Sequence, residues 1–256
     1  MKKYQIAAQL YTVRDFIKDE KGVAESFAKV RSLGYETVQI SGMGPIDEKV
    51  CKKLLDDHGL RCIATHESPK MLFEEPMKVV ERLKKLSCVH TAFPHPGPYP
   101  LNTADDVKKL ADSLAECGRI LSENGIVFSY HNHHIEFKKV GGKLILDTLL
   151  DTVPAEYLKM ELDTYWAQFG GQEPSKWMKK LAGRMPLLHL KDYKVNEENA
   201  VKFAEIGNGN LDWADIIPSA EKGGTEWFIV EQDVCDGDPF ESLKQSYDFI
   251  AANFCD

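Results

Sequence analysis

A chain of 256 residues, 43% hydrophobic and 28% charged, has the composition of a globular protein and excludes a disordered or collagen-like one. The net charge of -8, with lysines dispersed in pairs such as Lys52/Lys53 and Lys108/Lys109, excludes the basic stripe of a nucleic-acid-binding protein. No apolar run approaches the roughly 18 residues that cross a bilayer, and the opening MKKYQIAAQLYTVRD turns polar too early for a signal peptide, so a cytoplasmic protein with no membrane partner is expected.

Short apolar runs suited to buried strands alternate with longer segments of helical period from one end of the chain to the other. The strand candidates begin at Tyr4 (YQIAAQL), Thr37 (TVQI), Leu60 (LRCIATH), Cys88 (CVHTAF), Ile126 (IVFSYHN), Tyr157 (YLKMELD), Leu187 (LLHLKD) and Trp227 (WFIVEQD). Between them Val23, Phe27, Val30 and Leu33 share a helical face, as do Val107, Leu110, Leu114, Cys117 and Leu121, and Phe240, Leu243, Tyr247 and Ile250. Breakers at Gly34, Gly59, Gly125, Gly183 and Gly223-Gly224 stand just before strands. Eight such units over residues 1–256 predict one (β/α)8 TIM-barrel domain, a fold of about 250 residues. An open nucleotide-binding sheet is disfavoured because QLYTVRD, with no glycine-rich turn, follows the first strand. The longest loops, around His95 to Pro98 and from Val195 to Leu211, follow strands four and seven. Six cysteines without a C-x-x-C pair read as reduced thiols.

Residues two apart on a strand face the same way, so parity tests whether polar groups converge. Ser129, His131 and His133 share a face in the fifth strand, Glu161 and Asp163 in the sixth, His189 and Lys191 in the seventh, and Ile229, Glu231 and Asp233 in the eighth. With the apolar faces packed on helices, His131, Asp163, His189 and Glu231 point inward near the C-terminal rim. Two carboxylates and two imidazoles offer four ligands to one divalent cation, and without it the carboxylates would repel. Mixed N and O ligation suits manganese, zinc or cobalt, and magnesium less well.

The segments QLYTVRD, YHNHHIEF, ELDTYW, HLKD, EIGNGNLDW and VEQD resemble the xylose-isomerase-like sugar phosphate isomerase/epimerase superfamily, whose members include ketose 3-epimerases, inosose dehydratase and, more distantly, apurinic-site endonucleases. The resemblance runs nearly end to end and implies metal ligands at the ends of strands five to eight, here Asp163, His189 and Glu231. It also implies that Glu231 is an acid/base group. YHNH departs from the family pattern by placing His131 where many members carry a glutamate, so proton exchange between two glutamates does not carry over intact. Trp166 replaces a histidine of the endonuclease-like members, which weighs against a DNA-repair role.

The expected activity is therefore a metal-dependent isomerase or epimerase of a sugar, sugar phosphate or keto-sugar, in which the ion acidifies the C–H beside a bound oxygen. An inosose-type dehydratase using the same site is the alternative, and a non-catalytic sugar-binding barrel the reading from another class. His131 is expected as fourth ligand or, if displaced from the ion, as the second acid/base group, with His133 and Lys191 as candidate catalytic or substrate-contacting groups. Glu161 could accept a hydrogen bond from a ligating imidazole, or pair with Lys159 or Lys191. Gln9 and His66 have the reach to contact substrate, Trp166, Phe93 and Tyr11 could line the site, and Glu205 could close it, with Gly207 and Gly209 letting the backbone approach. A homo-oligomer is compatible with the sequence.

Overall fold

The computed structural model describes all of residues 1–256. Eight parallel strands close a barrel: β1 (Ile6–Gln9), β2 (Thr37–Ile40), β3 (Arg61–His66), β4 (His90–Phe93), β5 (Val127–His131), β6 (Lys159–Asp163), β7 (Leu187–Leu190) and β8 (Trp227–Val230). Closure is made where β1 pairs β8, with Ile6, Ala7 and Ala8 opposite Phe228, Ile229 and Val230. The ring is a (β/α)8 TIM barrel, as the alternation of elements predicts.

Around it lie α1 (Glu20–Ser32), α2 (Glu48–Asp57), α3 (Pro69–Glu74), α4 (Pro76–Leu86), α5 (Ala104–Glu123), α6 (Ile145–Thr152), α7 (Thr164–Phe169), α8 (Pro174–Lys180), α9 (Trp213–Lys222) and α10 (Pro239–Phe254). Local chemistry marks their starts: Asp19 accepts from the Gly22 amide, and Thr103 and Asp106 cap α5 reciprocally. The predicted apolar faces are the buried ones, Val23, Phe27 and Val30 in α1 and Val107, Leu110, Leu114, Cys117 and Leu121 in α5. Each such side chain contributes about 1.5–3 kcal/mol by leaving water. The turns ahead of β3 and β5 use Gly59 and Gly125 at φ of 66° and 76°, where a side chain would be strained.

Inside the barrel the apolar layer is small: Ala7, Ile63, Ala64, Leu187 and Ile229. Ile63 and Ala64 are consecutive yet both belong to it, because β3 carries a bulge opposite Val38 and Gln39. The extra residue rephases β3 and lets His66 follow Ala64 on the inward face. Above this layer, toward the C-terminal strand ends, the interior is polar.

Two features went unpredicted. Lys139–Val140 pairs Lys143–Leu144 as an antiparallel ribbon after β5, and Asp192–Val195 pairs Val201–Ala204 after β7. Gly141-Gly142, a two-residue hairpin signal, announces the first. The second falls largely within the stretch expected to be loop. All six cysteines are free, and no helix is long and apolar enough to cross a membrane.

Candidate metal centre

β5, β6, β7 and β8 are successive neighbours in the barrel, with His131 opposite Glu161 and Asp163 opposite His189. This register brings His131, Asp163, His189 and Glu231 together, all buried, with one ligand-type atom from each within 4.8 Å of the others. Asp163 and the end of β7 are held from behind. The Asp163 amide donates to Asn132 Oδ1 at 3.0 Å, and Asp163 Oδ1 accepts from the Trp166 amide at 2.8 Å, capping α7. Its Oδ2 is thereby left facing His131 Nε2 and His189 Nδ1, each 4.0 Å away. Thr164 Oγ1 donates toward the carbonyls of His189 and Lys191, and so anchors the end of β7 to α7.

Lys191 is neither a solvated loop lysine nor a free rim donor. It is 1% exposed, with Nζ 3.0 Å from Asp163 Oδ2, 2.9 Å from Glu231 Oε2 and 2.9 Å from Asp233 Oδ2. Repulsion among the carboxylates is thus partly offset by the chain's own ammonium. Burial alone would raise the Glu231 carboxyl, but Lys191 and His189 outweigh it and hold it well below the usual range. Asp163, where burial wins, is raised to about 6. Burial and the neighbouring His189 push His131 down to about 3, whereas for His189 burial is outweighed by Glu161 and Glu231 and the imidazole rises to about 10.

The donor set fits a divalent cation: two imidazoles and two carboxylates, with Asp163 Oδ2 buried and without a hydrogen-bond partner. Although Asp163 Oδ2 is within ion-pair distance of Lys191, the geometry is not that of a hydrogen bond, so the oxygen is available. A second group of the same kind, His66, His131, Glu161 and His189, lies one layer below and shares both imidazoles.

Glu161 pairs with neither Lys159 nor Lys191. Its Oε2 lies 2.5 Å from His66 Nε2, 3.3 Å from His131 Nδ1 and 3.4 Å from His189 Nε2, and its Oε1 accepts from Gln39 Nε2 at 2.6 Å. Gln9 is fully buried and donates to Gln39 Oε1, so it belongs to the floor beneath the centre rather than to its opening. Gln39 has no chemical motif around it in TVQI, and no sequence signal singles it out.

A cavity of about 340 Å³ opens above the cluster, lined by His66, His131, His133, Lys191, Glu231 and Asp233, with Tyr11, Ser41, Pro94 and His95 at its edge. The His133 and His131 rings stand 5.0 Å apart, and His95 lies 5.0 Å beyond His133. Burial, with His131 and Lys191 nearby, drives His133 far below its ordinary value, and its Nδ1 has no partner. Trp166 packs behind His133 and stacks on His134 without lining this cavity. Phe93 packs against Phe73 and Tyr130 in the outer core.

Glu205 is likewise away from the opening, accepting from Ser242 Oγ at 2.8 Å and from Gln232 Nε2 at 3.4 Å. The glycine loop closes on Asp192. Its Oδ1 accepts from the amides of Tyr193, Asn210 and Leu211, and its Oδ2 from Trp213 Nε1 and the Gly207 amide. This aspartate, last residue of HLKD, went unremarked in the sequence.

Residues 27–253 match the family model described as xylose isomerase-like TIM barrel. Among curated proteins, inosose dehydratase 2 of Bacillus cereus (strain ZK / E33L) is 27% identical over 168 residues, 59% of this chain and 56% of that protein. An inosose dehydratase of Bacillus thuringiensis (strain Al Hakam) is 26% identical over the same length, so the chain spans little more than half of the curated relatives it matches. A sugar phosphate isomerase/epimerase structure from Parabacteroides distasonis superposes with a TM-score of 0.85 at 24% identity, covering 99% of this chain and 96% of that one. The D-allulose 3-epimerase of Methylomonas sp., solved with D-allulose, gives 0.73 at 16% identity over 99% and 98%. The fold, the strand-end cluster and the matched residues agree: the chain belongs to the xylose isomerase-like TIM barrel family.

Proposed function

We propose that this protein is a divalent-metal-dependent isomerase or epimerase of a sugar, sugar phosphate or keto-sugar. The observation that carries the reading is the meeting of His131, Asp163, His189 and Glu231 in one buried cluster, two of whose members, His131 and Glu231, line a cavity together with His66, His133, Lys191 and Asp233. A divalent ion held by those four would act as a Lewis acid beside a bound carbonyl or hydroxyl oxygen and make the neighbouring C–H more acidic.

The chain's own residues do the rest. Glu231 Oε2 is committed to His189 and Lys191, which leaves Oε1 as the atom to take the proton. His133 lines the same space with its Nδ1 unpartnered and can hydrogen-bond a substrate hydroxyl, while Lys191 beside Glu231 holds the carboxylates in place. The D-allulose epimerase among the structural neighbours is consistent with a small sugar as partner.

One observation favours dehydration as the second reading. Glu161 has both oxygens engaged, by Gln39 and His66, so Glu231 is the one glutamate that lines the cavity. A single carboxylate base with the His133 imidazole in the same cavity suits loss of water as well as proton return, and inosose dehydratases are among the relatives.

The test is incubation of the metal-reconstituted protein with keto-sugars, their phosphates and keto-inositols in D2O. Deuterium entering a product of unchanged composition supports the isomerase, and a product lighter by one water supports the dehydratase. A substrate that binds and stabilises the protein without exchange or turnover would leave only a sugar-binding barrel.

A further inference from the structure

The two overlapping clusters present a choice. His189 turns Nδ1 toward Glu231 Oε2 at 2.9 Å and Asp163 Oδ2 at 4.0 Å, and Nε2 toward Glu161 Oε2 at 3.4 Å. Carboxylates thus flank both nitrogens, and they alone do not say which nitrogen is offered to an ion.

Gln39 breaks the symmetry. Its Nε2 donates to Glu161 Oε1 at 2.6 Å, and an ionised carboxylate can only accept. That orients the amide with Oε1 on the far side, where it accepts from Gln9 Nε2 and from His189 Nε2, both at 2.7 Å. Turning the amide over would set two oxygens against each other at Glu161 and donor against donor at Gln9. Gln9, Gln39, Glu161 and His189 are all fully buried, so water cannot relieve such a mismatch.

We propose that Gln39 is the positioning residue that keeps the hydrogen on His189 Nε2, so that Nδ1 serves the upper cluster of His131, Asp163 and Glu231 and the lower cluster is closed to an ion. The inference rests on the metal-dependent reading above. It also explains why a neutral glutamine from β2 reaches across to a residue 150 positions away. The other end of the ring is held as metal-ligating imidazoles generally are, here by an amide oxygen.

The experiment begins with the wild-type protein and zinc or manganese, titrated calorimetrically. Long-range proton–nitrogen NMR of the zinc-loaded, histidine-labelled protein then reads the His189 ring directly and needs no variant. Zinc on Nδ1 with hydrogen on Nε2 is the expected result. Gln39→Met should weaken both metals by about 10- to 100-fold. Gln39→Glu, which keeps an acceptor facing His189 and can share a proton with Glu161, should keep more affinity than Gln39→Met. Zinc on Nε2, or Gln39→Met binding within twofold of wild type, overturns the proposal while leaving the metal centre standing. A wild type that binds neither ion removes the metal-dependent reading itself and this inference with it.

Discussion

Lys191 Nζ lies 2.9 Å from Glu231 Oε2, and neither residue is more than 5% exposed. The ammonium stands beside two of the carboxylates that would hold an ion, and so balances charge there when no ion does. Lys191→Met should therefore destabilise the chelator-treated protein by about 3–5 kcal/mol, the usual cost of leaving buried charges without their partner. Added manganese should restore part of the loss. Urea melts with and without the metal measure both, and an unchanged midpoint in chelator would mean that Lys191 does not carry this balance.

His133 lines the cavity but is not among the four converging ligand residues. His133→Gln should lower kcat by about 10²–10⁴-fold, the range for losing a proton-transfer or hydrogen-bonding group at the reacting centre. Metal content by elemental analysis should stay at the wild-type level. Loss of metal together with activity would instead place His133 among the ligands.

Glu136 gives a pH signature away from the ligands. It is fully buried, accepts from Tyr130 Oη at 2.9 Å and from the His133 amide at 2.8 Å, and burial raises its carboxyl to about 7 despite those bonds. A carboxyl whose folded value is raised contributes stability that is fully present below its unfolded value, near 4.5, and is lost as pH rises through about 7. Glu136→Gln removes that dependence. It should match the wild type at low pH and exceed it by about 1–3 kcal/mol at pH 8, as denaturant melts across the range would show. A constant difference at every pH would remove Glu136 as its source.

Gly209 is required by space. A Cβ there would stand 2.2 Å from Asp192 Oδ1 and 2.5 Å from the Tyr193 carbonyl oxygen. Gly209→Ala should cost about 1–3 kcal/mol and loosen the turn that Asp192 gathers. A lower Tm with new proteolytic cleavage between residues 205 and 211 is the expected result, and unchanged values for both would show that the turn yields freely.

Much of the centre was legible because strand parity is local. Alternation in YHNH, ELD, HLKD and VEQD places His131, Asp163, His189 and Glu231 on inward faces whatever the remainder of the chain does. Parity states direction but not depth. Gln9 faces inward yet lies beneath the centre, and Glu205 belongs to a loop whose packing on α10 turns it to Ser242.

The order of residues by itself thus determined the alternation of strands and helices, the barrel they close, and which polar side chains turn into it, since burial periodicity is written in neighbouring positions. Only the tertiary structure decided that Lys191 is clasped by three carboxylates, that a bulge in β3 brings His66 to Glu161, and that Gln39 selects a face of His189. Those contacts join residues up to 150 positions apart across a closed barrel. Their distances follow from the stagger of strands around the ring, which no short stretch of sequence encodes.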